Sequence, residues 1–271
     1  MVALLLFKNR RQVGGLIVIS WLPSSVRQGF NFFLRQHGYS LSWTPPCVLA
    51  QGKRLIEIDF SILAAHLMLR IKRPYFIGIG ANDGVTHDPL FPFVRDFGWQ
   101  GIMVEPLPQA FASLEKNYAN YKDVDLVQAA VSRSDGTGII YTVETSSDNS
   151  MSMSLYSSFS KDILLRGKTW HPKLEEHIIT QSVPLMSIDT LLAMTKGRAV
   201  DVLKIDTEGH DLEILKSVNF SKMSPSLILA EQANLSRNDK IKMADILLRQ
   251  DYNVGMTSLD MLGYKPTSRS H

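Results

Sequence analysis

The stretch FIGIGANDG, residues 76–84, is the most informative part of this 271-residue chain. A short apolar run ends there in closely spaced glycines, and a segment of helical character follows. Glycines at the end of a buried strand let a ligand approach the backbone, and ligands of open parallel sheets bind at the carboxyl ends of the strands. The stretch therefore predicts a strand-to-helix turn that binds a ligand.

The glycine spacing and the acid inside the turn indicate which ligand. The pattern Gly78-x-Gly80-x-x-x-Gly84 is one residue longer than the fingerprint of dinucleotide-binding turns. Asp83 would repel a pyrophosphate but attract a cation such as S-adenosylmethionine, which carries an ammonium, a sulfonium and no phosphate. The turn thus favours this methyl donor over NAD. The residues predicted to bind the donor here are Gly78, Gly80, Ala81, Asn82 and Asp83.

The pattern beyond the turn predicts the fold class. From residue 55 onward, apolar runs of strand length alternate with amphipathic segments of helix length. Strands separated by helices form βαβ units, so we predict an α/β fold with a mostly parallel central sheet and helices on both faces. The predicted strands are 75–79, 101–104, 124–131, 200–205, 226–230 and 252–255. The predicted helices are 55–71, 89–97, 108–118, 212–218 and 237–249.

Overall composition is that of a globular protein, with 45% hydrophobic and 20% charged residues. Cys47 is the single cysteine. A single cysteine excludes an intramolecular disulfide and a cysteine-based zinc or iron–sulfur site, and it fits a reducing compartment. We therefore predict a cytoplasmic protein.

Basic residues are concentrated at the start of the chain. No acidic residue precedes Glu57, and the seven basic residues before it give that segment a formal charge of +7. The remainder carries 22 basic and 26 acidic residues, so the basic balance does not belong to the body of the protein. Because a nucleic-acid partner needs a basic face on the folded domain, we predict no such partner.

We interpret residues 1–54 as a basic, aromatic N-terminal extension of a domain that spans 55–271. Its apolar runs are too short to cross a membrane, and its charge follows the first run, unlike a secretory signal. Three interpretations stay open for the extension. It is a helical arm that packs on the domain or on a second copy of the chain, a poorly ordered segment, or a surface for weak contact with an anionic membrane.

Residues 145–180 interrupt the alternating pattern. The segment is long, polar and rich in serine and methionine, as in SSDNSMSMS at 146–154. Long irregular segments within a compact domain are often functional. We predict either a lid or substrate-facing insertion, or a purely structural excursion.

Glu105 follows the second predicted strand and is a further candidate for donor binding. A carboxylate at the tip of this strand can accept hydrogen bonds from both ribose hydroxyls of an adenosine. The alternative is that Glu105 only caps the following helix. We predict the ribose role because the position and the residue type both match it.

The sequence KIDTEGHD, residues 204–211, places many ionisable groups at the end of another buried strand. Such density is typical of acid–base sites. Methyl transfer to a hydroxyl requires removal of a proton, and Asp206, Glu208 and His210 are the candidates for that base. Glu208 could instead lie near a helix N-terminus, and Lys204, on the same strand face as Asp206, could be a buried counter-ion.

A divalent metal is a further alternative at this edge of the sheet. If the strands before Asp206 and Glu231 are adjacent, Asp206, Glu208 and Glu231 could together bind Mg²⁺ or Ca²⁺. Carboxylates also gather at such edges without a metal, and we predict none.

Several blocks of the sequence, in the same order, resemble the FkbM family of S-adenosylmethionine-dependent methyltransferases. The resemblance extends over about residues 73–258. The blocks are FIGIGANDGVTHDPL at 76–90, GWQG at 98–101, VEP at 104–106, SSF at 157–159, SIDTLL at 187–192 and DVLKIDTEGHD at 201–211.

The resemblance implies a Rossmann-like methyltransferase fold and transfer of a methyl group from S-adenosylmethionine to an oxygen, typically a hydroxyl of a sugar, a polyketide or a related metabolite. One position departs from the class. Gly78 stands where such methyltransferases usually carry an acid that meets the donor's ammonium. Either Asp83 and backbone carbonyls replace that acid, or donor binding is weakened and the protein is a non-catalytic member that recruits partners.

Overall fold

The computed structural model describes residues 59–144, 157–166, 174–257 and 259–265, and the backbone of 4–9, 12–18 and 41–43. The three early segments are strands β1 (Leu4–Asn9), β2 (Gln12–Val18) and β3 (Leu41–Trp43), which form an antiparallel sheet in the order β2-β1-β3. A helical arm was one expectation for the N-terminal extension, and these segments are strands instead. The rest of residues 1–58 lies outside the described part of the chain.

The elements of the main body follow the predicted alternation, with additions. Its strands are β4 (Tyr75–Ile79), β5 (Gln100–Val104), β6 (Val124–Val127), β7 (Ala130–Ser132), β8 (Gly136–Val143), β9 (Ser157–Ser158), β10 (Ile178–Ser187), β11 (Val202–Ile205), β12 (Leu227–Glu231), β13 (Asn253–Met256) and β14 (Asp260–Tyr264). Its helices are α1 (Phe60–Met68), α2 (Phe91–Phe97), α3 (Pro108–Tyr118), α4 (Lys161–Leu165), α5 (Ile188–Met194), α6 (Asp211–Ser217) and α7 (Arg237–Arg249), with a 3-10 helix at Leu174–His177.

A seven-stranded sheet forms the centre of the fold, in the order β13-β14-β12-β11-β4-β5-β6. β4, β5, β6, β11 and β12 pair in parallel, whereas β14 is antiparallel to both of its neighbours. The predicted mostly parallel sheet is confirmed. The strand order reverses where β4 lies beside β11, and open α/β sheets bind ligands at such a switch point.

Helices cover both faces of this sheet, as predicted. Successive strand residues point to opposite faces, so Ile77 and Leu203 belong to one apolar core while Phe76 and Val202 belong to the other. The first core is completed by α5, α6 and α7, and the second by α1, α2 and α3. Three helices on each face leave the carboxyl edge of the sheet as the place for a ligand.

A second sheet was not predicted. It has the order β7-β10-β8-β9, and β10 runs antiparallel to β8 over most of its length. The predicted strand 124–131 is therefore wrong in its extent: the chain leaves the central sheet after β6 and enters the second sheet with β7. Ile140 and Val183 are buried on this sheet while Ile139 is exposed, so its apolar pattern alternates and is harder to recognise than a fully buried run.

The insertion predicted at 145–180 has regular structure wherever it is described. It contains β9, α4, the 3-10 helix and the first residues of β10, and residues 145–156 and 167–173 lie outside the described part. Within the described residues, no helix combines the length and apolar character that crossing a membrane requires.

Candidate active site

A cavity of about 800 Å³ lies at the carboxyl edge of the central sheet. Its walls come from segments that directly follow parallel strands, because all of these strands end at the same edge. They include residues 79–82 after β4, 105–107 after β5, 205–208 after β11, and Glu231 and Asn234 at the end of β12. The predicted donor turn and the predicted base candidates Asp206 and Glu208 thus share one cavity.

The glycine turn is fixed against both neighbouring strands. The N–H groups of Gly80 and Ala81 donate to the Val104 carbonyl at 2.9 and 3.0 Å. Gly80 has a φ of +76°, and a Cβ on it would lie 1.7 Å from the Asp206 carbonyl oxygen. A side chain at this position would need both a left-handed backbone and space that Asp206 occupies, so the sequence must have glycine here.

Glu105 is buried and connects the turn to the start of α3. Its Oε2 accepts a hydrogen bond from Asn82 N at 2.8 Å, and its Oε1 accepts one from Leu107 N at 2.9 Å. Burial raises the pKa of this carboxyl above its usual range. Glu105 also lines the cavity, and each carboxylate oxygen can accept a second hydrogen bond. The two alternatives drawn from the sequence, a structural cap and a ligand contact, are therefore compatible.

Asp83 is placed differently from its predicted role. It is not among the residues that line the cavity. Its carboxylate accepts hydrogen bonds from Val85 N, Thr86 N and Thr86 Oγ1 at 2.9, 2.7 and 2.6 Å. Burial opposes ionisation, but these hydrogen bonds prevail and lower the pKa of Asp83. The geometry gives Asp83 a turn-forming role and offers no support for its predicted contact with the donor.

Gly78 lies inside β4 and is also absent from the cavity lining. A Cβ at this position would lie 2.7 Å from Met103 Sδ and 3.0 Å from Leu90 Cδ1. These side chains fill the place where an acid would extend. Glycine at this position avoids these close contacts, and the predicted contact of Gly78 with the donor has no support here.

Lys204 is the buried counter-ion that the sequence left open as an alternative. Its Nζ lies 3.3 Å from Asp88 Oδ2, 3.2 Å from Asp206 Oδ2 and 3.1 Å from the Gly80 carbonyl oxygen. Burial would lower the pKa of Lys204, but Asp88 and Asp206 raise it above its usual value. The ammonium therefore stays charged and joins the ends of β4 and β11.

Asp211 stabilises the turn that follows β11. This carboxyl is completely buried and accepts hydrogen bonds from Thr207 N and Gly209 N at 3.1 and 3.0 Å. Burial and the charge of Asp206 raise the pKa of Asp211 to about 7. The turn places Glu208 in the left-handed region, with a φ of +51°.

Glu208 is held in the cavity wall by two contacts from outside its own turn. Asn234 Nδ2 donates to Glu208 Oε2 at 2.6 Å, and Ser158 Oγ donates to the Glu208 carbonyl at 2.7 Å. Burial, followed by the charges of Asp206 and Asp211, raises the pKa of Glu208 to about 7. A carboxyl with this pKa can gain and lose a proton near neutral pH.

Further acids crowd the same wall. Burial, with the charge of Glu208 next in importance, raises the pKa of Glu231 to about 9, and burial raises that of Asp260 to about 6. Asn234 Nδ2 also donates to Glu231 Oε1 at 3.2 Å. Asp206, Glu208 and Glu231 each offer an oxygen within 4.8 Å of the others. β11 and β12 are adjacent, so the condition set for this cluster is met. Oxygen donors at this spacing suit a hard cation as well as shared protons.

His210, the third base candidate, does not line the cavity. Its ring packs against Phe159 with centroids 4.6 Å apart, and burial lowers its pKa. The structure brings Asp206 and Glu208 together at the cavity but does not bring His210 with them. The geometry therefore does not support His210 as the base.

Sequence reasoning missed three residues of the wall: Ser158, Asn234 and Asp260. Asn234 follows β12 in the same way that Asp206 follows β11, so strand-end position was the signal that could have identified it. Asp260 opens β14, an antiparallel strand that was not predicted. Ser158 comes from β9 in the insertion, whose serine–serine–phenylalanine block is the available signal.

The fold and the cavity define a class of protein. A Rossmann-like sheet carries a glycine turn without dinucleotide spacing after its first parallel strand, an acid after the next, and a group of carboxyls at the same edge. This is a Rossmann-like methyltransferase fold.

A comparison with protein families assigns the chain within this class. The family described as "Methyltransferase FkbM domain" matches residues 78–254. The chain belongs to the FkbM methyltransferase family, which confirms the motif resemblance. Among curated proteins, no sequence matches the chain.

Solved structures with a related backbone include methyltransferase FkbM from Methylobacillus flagellatus KT, at 16% identity and a TM-score of 0.49, covering 77% of this chain and 48% of that one. The present chain thus spans about half the length of that relative. The precorrin-6y C5,15-methyltransferase from Geobacter metallireducens GS-15 shares 14% identity with a TM-score of 0.40, covering 80% of this chain and 94% of that one. The N-terminal domain of human METTL16, solved with SAH, shares 11% identity with a TM-score of 0.37, covering 94% of this chain and 86% of that one.

Proposed function

We propose that this protein is an S-adenosylmethionine-dependent O-methyltransferase that transfers a methyl group to a hydroxyl of a sugar, a polyketide or a related metabolite. One observation carries the proposal. The glycine turn and Glu105 share a cavity with Glu208, a carboxyl whose pKa is raised to about 7. A base with a pKa near the working pH is the group that O-methylation needs beside its donor site.

The donor half of the cavity is formed by the turn after β4 and by Glu105. Bound S-adenosylmethionine supplies a methyl group activated by its sulfonium. Glu105 accepts hydrogen bonds from the ribose hydroxyls, and the close approach of the chain at Gly80 and Ala81 accommodates the rest of the donor. Asn82 keeps Glu105 oriented through its backbone N–H.

The acceptor half is the acidic wall. Glu208, in its ionised form, accepts the proton of the acceptor hydroxyl as the oxygen bonds to the methyl carbon. Asn234 and Ser158 hold Glu208 in place for this step. Alignment of the two substrates within one cavity supplies the remaining rate enhancement.

The charges of the cavity support a neutral acceptor rich in hydroxyl groups. Among its described lining residues, Lys204 is the sole lysine or arginine, and its charge is matched by Asp88 and Asp206. A phosphate backbone would meet carboxylates here, so we propose a small-molecule or glycan acceptor and no nucleic-acid partner. A cytoplasmic location, a second copy of the chain and weak membrane contact through the N-terminal extension stay predictions.

Calorimetric titration with S-adenosylhomocysteine tests the donor site, with NADH as the control ligand. We expect micromolar binding of S-adenosylhomocysteine alone. Transfer of a radiolabelled methyl group from S-adenosylmethionine to a panel of sugars and polyketides then tests the reaction, with Glu208→Gln as the inactive control. Binding of NADH instead would contradict the proposal.

The position of Gly78 favours a second candidate, a non-catalytic protein that keeps the fold to recruit partners. Glycine supplies no acid at this position, and a side chain there would require Met103 and Leu90 to move. Absence of S-adenosylhomocysteine binding to a correctly folded protein would support this candidate over the first.

A further inference from the structure

The donor's ammonium needs a carboxylate, and this cavity lacks one at the position usual for the class. Gly78 has no side chain, and a Cβ there would lie 2.7 Å from Met103 Sδ, so an acid would fit only if Met103 moved. Asp83 lies outside the cavity lining and is bound by the N–H groups of its own turn. If the proposed function holds, another acid must meet the ammonium.

Most acids that line the cavity already bind other groups of the protein or have another proposed role. Asp88 is buried, its Oδ1 accepts hydrogen bonds from Leu90 N and Phe91 N at 2.7 and 3.2 Å, and its Oδ2 lies 3.3 Å from Lys204 Nζ. Asp59 caps α1 through Ser61 N at 2.7 Å. Glu105 accepts two backbone N–H groups, and the proposed function assigns its remaining hydrogen-bonding capacity to the ribose hydroxyls.

The acids Glu208, Glu231 and Asp260 are less well placed than Asp206 to meet the ammonium. Glu208 is the group proposed to accept the acceptor's proton, and Glu231 lies at the end of β12, one strand further from the glycine turn than Asp206. Asn234 also donates to an oxygen of each. Asp260 opens β14, two strands away from β11 in the sheet.

Asp206 differs from all of these acids. Its side chain is 43% exposed and lines the cavity. Its backbone N–H donates to the Ile79 carbonyl at 3.0 Å, and its own carbonyl lies against Gly80. Asp206 therefore follows the strand adjacent to β4 and directly adjoins the glycine turn, beside the place where the missing acid would act.

Lys204 fixes this carboxylate toward the turn. One ammonium bonds Asp206 Oδ2 at 3.2 Å and the Gly80 carbonyl at 3.1 Å, so carboxylate and turn share a single anchor. Among the described residues, Asp206 Oδ1 has no hydrogen-bond partner and can accept one from a ligand.

We propose that Asp206 binds the ammonium of the methyl donor in place of the acid missing at Gly78, and that Lys204 is the positioning residue that orients it. This inference rests on the proposed function. It assigns separate tasks to two acids of one turn: Asp206 binds the donor, and Glu208 accepts the acceptor's proton.

The test compares two ligands that differ only in the ammonium: S-adenosylhomocysteine and its deaminated analogue. Calorimetry on the full chain should show that the wild type prefers S-adenosylhomocysteine by about 10- to 100-fold, the usual value of a charge-assisted hydrogen bond. Asp206→Asn should bind the two ligands equally, with an unchanged affinity for the analogue. Unchanged analogue binding also shows that the variant is folded, and Asp206→Ala serves as a second variant.

Asp83→Asn is the matched control, since it removes the same charge from an acid of the glycine turn that does not line the cavity. It should keep the wild-type preference. Retention of the preference in Asp206→Asn and Asp206→Ala, or its loss in Asp83→Asn, would overturn the inference. Failure of the wild type to bind either ligand would instead overturn the proposed function.

Discussion

At the scale of single residues, the site depends on carboxyl groups whose surroundings give them different tasks. Glu105 is held by two backbone N–H groups, Asp206 by the Lys204 ammonium, and Glu208 by the Asn234 amide. The residue type is nearly the same in all three, but burial and partners decide whether the group is a fixed acceptor or a proton carrier. Substitutions can therefore separate donor binding from proton transfer.

Glu105→Ala should weaken binding of S-adenosylhomocysteine at least tenfold. The substitution removes the proposed acceptor of the ribose hydroxyls, and it also frees the N–H groups of Asn82 and Leu107. Calorimetry measures the affinity, and a thermal melt shows that the fold is retained. An affinity equal to that of the wild type would show that Glu105 does not contact the donor.

Glu208 should give methyl transfer a characteristic pH dependence. The base must be ionised, and its pKa is about 7, so kcat should fall about tenfold per pH unit below 7 and reach a plateau above it. Glu208→Gln should reduce kcat by about 10²- to 10⁴-fold and leave donor affinity unchanged. A wild-type rate that does not vary between pH 6 and pH 8 would assign the proton to another group.

At the scale of elements, the strand-to-helix turn after β4 is the part of the site that tolerates substitution least. Gly80 and Gly197 both have a left-handed backbone, with φ of +76° and +81°, but only Gly80 faces a neighbour where its Cβ would be. Gly197→Ala should lower the free energy of unfolding by only about 1 kcal/mol, through backbone strain alone.

Gly80→Ala should destabilise the protein much more than Gly197→Ala and abolish donor binding, because the new methyl would lie 1.7 Å from the Asp206 carbonyl oxygen. Urea denaturation of the two variants measures the difference, and Gly197→Ala is the matched control. Equal destabilisation would show that the turn can move away from Asp206.

The elements also show how much of the fold and of the site could be predicted from the sequence alone. The buried parallel strand β4 is a continuous apolar run and β11 is apolar except for Lys204, so the sequence located both strands and the donor turn. β8, β10 and β14 are antiparallel with mixed polarity, and their periodicity was too weak to be recognised. Which strand ends adjoin depends on sheet order. For this reason the sequence directed attention to Asp83, four residues from the end of β4, although Asp206 is the acid that adjoins the turn.

At the scale of the whole molecule, the acidic wall couples stability to pH. Glu231 has a pKa of about 9 in the folded protein, above the ordinary carboxyl value that it regains on unfolding. Between these two values the folded state holds a proton that the unfolded state has released. The free energy of unfolding therefore falls as the pH rises through this range, until Glu231 is ionised in both states.

Glu231→Gln should remove most of the loss of stability between pH 7 and pH 9. Glutamine is close in shape to the protonated acid, so its packing beside Asn234 should be retained while its titration is abolished. The wild type should lose free energy of unfolding over this range, by at most about 1.4 kcal/mol per pH unit for each proton released. Urea denaturation at pH 7, 8 and 9 measures both proteins. Parallel pH profiles would show that Glu231 is ionised in the folded state at neutral pH and that another group holds the proton.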